Sequence, residues 1–398
     1  MSTEQSTVVT TNESLSKVVA AARSSGRLGL DTEFLRERTY RARLCLVQVA
    51  TADVIALIDP LAGVDLSPVA ALVGDASIEV VVHAGRQDLD ILYDHFDVLP
   101  SNIFDVQLAA GFAAYGSSLP YGRLVEATTG TTLTKGESYT DWCRRPLTTA
   151  QLSYAADDVR FLLPVADRLA DRLERLGRSE WVAEEMAQLQ DPKSYGLRPE
   201  DAWRRVSGRG TLSGRQTAVL RELAGWRERA AAKRDLPRNW IIKDPSLIEI
   251  ARRQPESIAA LKSIRGVNAK EAERSGRALL DAIALGRRAP VTNGAGPGWP
   301  RDVVARARMT LGLADAVVRA RCERVGIATE LVVTRAEMES LLGEVFARAL
   351  EESQHRVLQG WRRELVGETI LALARGDLAL RTTNVPPYIQ EVVVDGRG

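Results

Sequence analysis

Apolar residues fall in short runs over the first hundred positions. "RLGLDTEF", "ARLCLVQVA", "VIALIDP" and "IEVVVHAG" are rich in Val, Ile and Leu and are bounded by Gly, Pro or Asp, the pattern of buried β-strands. Stretches with helical spacing lie between and after them: "SLSKVVAAARSSG", "PVAALVGD" and "RQDLDILYDHF". "TTAQLSYAADDVRFLLPVADRLADRLERLG" predicts one or two helices ending at Gly177, a residue type suited to a helix C-terminus. Residues 1–190 therefore read as a strand-rich α/β domain with a central mixed sheet.

The pattern then changes. "LQDPKSYGLRPEDAW" reads as a linker, and from about residue 210 the spacing is helical throughout. A Pro/Gly-rich break, "RRAPVTNGAGPGWP" at 287–300, separates an α domain at 205–288 from another at 298–385. "LPRNWIIKDPSLIEIA" (236–251) aligns without gaps with "IATELVVTRAEMESLL" (327–342), and "IRGVNAKEAERSGRALLDAIALG" is echoed by "LQGWRRELVGETILALARG", so the two α domains read as a diverged repeat. "TTNVPPYIQEVVVDGRG" reads as a loose tail.

Composition, at 45% hydrophobic and 26% charged, is that of a soluble globular protein. No run is long enough for a membrane span, and the N-terminus lacks the basic and apolar regions of a signal peptide. Cys45, Cys143 and Cys322 are isolated, so neither a zinc site nor a disulfide is expected, and a reducing cytoplasm is. Nothing demands more than a monomer. The net charge of +1 hides an asymmetry: 19 basic against 28 acidic residues over 1–200, 20 against 10 over 201–290, and 14 against 14 beyond. A basic middle segment suits a polyanion, and an acidic first half suits cations.

The acidic residues have a pattern. Asp31 and Glu33 stand two apart at a strand end and share a face, which is unfavourable unless something positive lies between them. In "VVVHAGRQDLDIL" a strand runs into a helix with Asp88 in its first turn, where a carboxylate could equally serve the helix N-terminus; His83 could equally be a satisfied buried histidine. In "YAADDVRFLLP" Tyr154 and Asp158 are four apart and share a helix face, though Tyr154 could be core and Asp158 solvated. Four carboxylates in three segments offer hard oxygen ligands of the kind that suit Mg²⁺ or Mn²⁺.

These three segments, "LDTEF", "HAGRQDLDIL" and "YAADDV", resemble the three motifs of the DEDD superfamily of 3′-5′ exonucleases. The Tyr-x-x-x-Asp spacing resembles its tyrosine subclass, and "TDWCRRPLTTAQLSYAADDVRFLLP" resembles the ribonuclease D family within it. "RQTAVLRELAGWRERAAAKRDLPRNWIIKDPSLIEIA" is similar to an HRDC domain, and "LQGWRREL" to the end of the family's second such domain. Gly136 in "LTKGESYTDW" departs from the serine common there. The resemblance implies a ribonuclease H-like mixed sheet followed by two all-α helical bundles, the second a diverged HRDC-like domain. It implies that Asp31, Glu33, Asp88 and Asp158 hold two divalent ions, Mg²⁺ or Mn²⁺, and that Tyr154 positions or deprotonates the attacking water. Nucleoside 5′-monophosphates would leave one at a time from an RNA 3′ end, in tRNA precursors or other stable RNAs.

Thr32, Phe34 and His83 flank the ligands and are candidates to contact the terminal nucleotide. In the basic segment Arg227, Arg229, Lys233, Arg234 and Arg238 are candidates for phosphate contacts, with Trp203, Trp226 and Trp240 interleaved or simply core. A 3′-5′ DNA exonuclease acting in repair and an RNA-binding protein without catalysis are the competing readings.

Overall fold

A computed structural model describes residues 6–133, 140–196, 198–290 and 299–394. Gly136 lies outside the described residues. Six strands form one sheet: β1 (Thr7–Val9), β2 (Arg27–Leu35), β3 (Arg43–Ala50), β4 (Ile55–Ile58), β5 (Glu79–Val82) and β6 (Ile103–Asp105), in the order β1-β4-β3-β2-β5-β6. β3 pairs antiparallel with β2 and β4, whereas β1–β4, β2–β5 and β5–β6 are parallel, so the sheet is mixed as its strand runs predict. β3, inside the sheet between β4 and β2, is buried along nearly its whole length. Gly29 lets the Leu162–Arg175 helix lie close on β2: a Cβ there would stand 3.1 Å from the Leu162 Cβ.

Residues 202–283 supply a second hydrophobic core of their own, around Leu220, Leu223, Leu247 and Leu279. The stretch read as a linker is partly structured. Residues Pro199–Arg205 form a 3-10 helix, and Ala202 and Val206 join this second core. The third unit shares the exonuclease-type domain's core instead. Trp361 stacks on Trp181 at 5.0 Å and meets Phe112 edge-on at 5.2 Å.

The two aligned segments share a local backbone pattern. Helix Arg238–Ile241, extended Ile242 (φ −150°) and the helix from Asp244 recur as Thr329–Val332, extended Val333 (φ −157°) and the helix from Arg335.

Two further expectations need correction. The C-terminal tail is a hairpin, β7 (Leu378–Thr382) with β8 (Ile389–Val393), anchored where Glu391 accepts from Arg321 and Arg324. Its strands are mostly exposed, so no apolar alternation marked them; the distant arginines hold them in place. Cys45 and Cys143 form a disulfide, with Cα atoms 5.1 Å apart across a separation of 98 residues; Cys322 is a buried free thiol. Spacing could not show this pairing, because Arg145 brings the two segments together. Its guanidinium binds Asp59 at 2.6 and 2.7 Å and the Cys45 carbonyl at 2.7 Å.

Candidate active site

β2, the Arg86–Phe96 helix and the Thr149–Arg160 helix converge on one pocket of about 300 Å³. Asp31, Glu33, Asp88, Tyr154 and Asp158 all line it. Carboxylate oxygens of Asp31, Glu33 and Asp158 lie within 4.8 Å of one another. Asp88 stands beside them and accepts a short hydrogen bond from the Thr32 hydroxyl. The ladder shifts register between Glu33 and Phe34, and this bulge lets Phe34 line the same pocket as Glu33.

Local features aim each segment. Asp105 accepts from the Ala84 and Gly85 amides at 3.1 and 3.0 Å and so pins the turn that starts the Asp88 helix. A capping box opens the Tyr154 helix: the Gln151 amide donates to the Thr148 hydroxyl at 3.2 Å, and the Thr148 amide donates to the Gln151 side chain at 2.9 Å. Just before it, the Arg145 guanidinium binds the Trp142 carbonyl at 2.8 Å, and the Trp142 ring packs 5.9 Å from that of Tyr154.

Four acids this close hold protons unusually well. Burial, then the charges of Asp88, Asp158 and Glu33, pushes Asp31 well above the usual carboxylate range. Burial and the charges of Asp158 and Asp88 push Glu33 up to about 8. Burial, aided by Asp157, pushes Asp158 up to about 7, against the pull of the Tyr154 hydroxyl. Asp88 rises to about 6 by burial, opposed by the Thr32 hydrogen bond. Burial lowers His83, and no Lys or Arg among the described residues lines the pocket. A cluster of hard oxygen donors without a compensating protein cation fits a divalent ion, and this is a candidate metal-binding cluster.

The sign of the pH effect follows. An acid with a raised folded-state pKa binds more protons folded than unfolded, so stability falls as pH rises from the ordinary carboxylate range towards the raised value. The metal-free protein is expected to lose stability between pH about 5 and 8. Mn²⁺ should restore it, with a larger melting shift at pH 8 than at pH 6. Glu33→Gln should raise metal-free stability at pH 8 by about 1–2 kcal/mol. Thermal melts in EDTA and in Mn²⁺ across this range check both; a flat metal-free profile would contradict them.

Thr32, Phe34 and His83 all line the pocket. His83 Nε2 lies 3.1 Å from the Leu119 carbonyl, and its ring is 5.3 Å from that of Tyr121. Gln87 and Tyr121 also line it, and sequence reasoning missed both. Gln87 adjoins Asp88 and could have been considered; nothing in the local pattern marks Tyr121.

The five basic candidates part company. Arg227 is buried and bound to Asp244 at 2.7 Å and to the Ile242 carbonyl at 2.9 Å. Arg234 grips both oxygens of Glu271 at 2.9 Å, and Arg238 grips Glu228 at 2.6 and 2.7 Å. Arg229 and Lys233 are exposed. Among the tryptophans, Trp240 is 61% exposed.

Comparison with known proteins gives a consistent picture. Residues 6–174 match a 3′-5′ exonuclease family, and residues 216–283 match the HRDC domain. The chain is 40% identical to the ribonuclease D of Gluconacetobacter diazotrophicus over 382 residues, covering 94% of each chain. It is 39% identical to that of Granulibacter bethesdensis over 379 residues, again covering 94% of each. Among solved structures it resembles Escherichia coli RNase D, described as an exoribonuclease involved in structured RNA processing. The TM-score is 0.80 at 33% identity, covering 94% of this chain and 99% of that one.

Proposed function

This chain belongs to the ribonuclease D family and is a 3′-5′ exoribonuclease, and from that footing we propose that it trims the 3′ ends of structured RNAs, tRNA precursors among them, one nucleoside 5′-monophosphate at a time. The observation that carries this reading is the convergence of Asp31, Glu33, Asp88, Asp158 and Tyr154 on one pocket without a compensating cation among the described residues.

In this reading the four carboxylates hold two divalent ions, Mg²⁺ or Mn²⁺. Bound there, they supply neutralisation of the scissile phosphodiester and acidification of the attacking water. The chain's own residues do the rest. With a phenol's ordinary pKa of about 10, Tyr154 keeps its proton in place at neutral pH. It therefore acts as a hydrogen-bond donor that orients water or phosphate, and not as the base. The Thr32 hydroxyl holds Asp88 in place. Phe34 and His83 enclose the terminal nucleotide together with Tyr121. Among the described residues no helix is long and apolar enough to cross a membrane.

The test is a hairpin RNA with a single-stranded 3′ tail and a 5′ label. With Mg²⁺ or Mn²⁺ it should shorten as a ladder from the 3′ end; in EDTA it should not shorten at all. A DNA copy should be cut more slowly. Faster shortening of DNA would favour a DNA exonuclease, and tight binding without shortening would favour a non-catalytic RNA-binding protein.

A further inference from the structure

A second, larger chamber adjoins the catalytic pocket. It measures about 760 Å³ against about 300 Å³, and the two share Ala84 and Gln87 as a common sill. The sill is the turn leading into the Asp88 helix together with its first turn. Asp88 faces the catalytic pocket, whereas Arg86 and Asp90, four apart on one helix face, line the chamber. Its far wall is the first helical unit, through Arg205, Glu228, Arg229 and Arg238.

The two walls are tied together. The Tyr40 and Arg41 amides both donate to Asp235 at 3.0 Å, and the Tyr40 hydroxyl donates to Glu228. Arg238 clamps the same Glu228 and lies over the Tyr40 ring at 5.2 Å. The chamber is thus preformed, which lowers the cost of ordering it around a ligand.

Its lining carries six arginines against three acids, Asp90, Asp94 and Glu228. Glu228 is taken up by Arg238 and Tyr40, and Asp90 lies 3.6 Å from Arg36. Arg41, Arg205 and Arg229 are exposed, and none has an ion pair among the described residues. Such a surface suits a polyanion. The aromatic rings in the lining each have a face taken by an arginine, Tyr40 by Arg238 and Tyr195 by Arg86 at 5.4 Å. Six arginines make phosphates the groups this lining favours.

We propose that this arginine-lined chamber binds the backbone of the nucleotides just upstream of the 3′-terminal one, with Arg41, Arg205 and Arg229 as its open phosphate contacts. This rests on the exonuclease reading of the adjoining pocket. If the smaller pocket holds one nucleotide, the chamber, about two and a half times as large, holds two. Affinity should therefore rise with RNA length up to about a trinucleotide, then level off, without regard to sequence.

The experiment compares the full-length protein with its Arg41→Ala/Arg205→Ala/Arg229→Ala variant on two substrates. One is hexauridylate; the other is the p-nitrophenyl ester of uridine 5′-monophosphate, which fills only the catalytic pocket. Thermal melts confirm that these exposed substitutions leave the fold intact. The variant should raise KM for hexauridylate at least tenfold at low salt, leave kcat unchanged, and hydrolyse the ester like the parent. Its binding should lose about 1.4 units of salt slope, at ~0.7 for each of the two phosphates the chamber holds. Unchanged KM and salt slope on hexauridylate, with the parent active, would overturn the chamber and leave the exonuclease standing. If the parent hydrolyses neither substrate, the exonuclease reading fails, and fluorescence anisotropy of labelled hexauridylate still decides the chamber. Tenfold weaker binding by the variant supports it; equal binding overturns it.

Discussion

Asp31→Asn is expected to lower single-turnover hydrolysis of a 3′-tailed RNA by at least about a thousandfold, on the order of 4 kcal/mol, while leaving RNA affinity nearly unchanged. The amide matches the carboxylate in shape, so the fold should persist and the metal-free protein should melt no lower, because one of four mutually repelling charges is gone. What is lost is the charge that makes the pocket a cation site. Asp157→Asn is the internal control. Asp157 sits beside Asp158 in sequence, but it pairs with Arg160 at 3.0 Å and does not line the pocket, so its variant should stay within a few-fold of the parent. The assay is a single-turnover time course with anisotropy for binding. Hydrolysis by Asp31→Asn within tenfold of the parent would sink the site assignment.

The second large effect concerns stability. Arg362 is 1% exposed and joins the third unit to the exonuclease domain. Its guanidinium pairs with buried Glu185 of the Ser179–Ala187 helix and donates to the carbonyls of Leu331 at 2.8 Å and Val332 at 3.1 Å. Removing one partner leaves an uncompensated buried charge. Arg362→Met should therefore cost about 3–5 kcal/mol, whereas adding Glu185→Leu to it should recover most of that loss. Urea unfolding of both variants measures it. A single variant as stable as the parent would mean that Glu185 is neutral or hydrated without its partner.

The convergence of the four carboxylates and Tyr154 on one pocket was legible because each of its pieces is local. Asp31 and Glu33 share a strand face by a period of two, and Tyr154 and Asp158 share a helix face by a spacing of four. Such relations survive whatever the rest of the chain does. The mixed sheet was legible for the same reason, since strand runs are properties of short windows. The residues that aim the site were not. Asp105 pins a turn some twenty residues upstream, and Arg145 reaches back to Asp59 and Cys45. Neither sits in a motif, and each matters only because the fold brings distant backbone to it.

Charge was legible as a sum and not as a surface. The excess of basic residues over 201–290 marked a candidate polyanion-binding segment, yet Arg227, Arg234 and Arg238 are engaged within the protein whereas Arg205 and Arg229 are open. "WRREL" likewise does not say that Arg362 is buried and Arg363 is paired at the surface with Glu352 and Glu368. By itself the sequence determined the strand and helix pattern and which carboxylates could face one another, because both follow from backbone periodicity. Which arginines stay free, which cysteines meet, where the C-terminal hairpin docks and what adjoins the catalytic pocket were decided only by the tertiary structure, because each depends on a partner far along the chain.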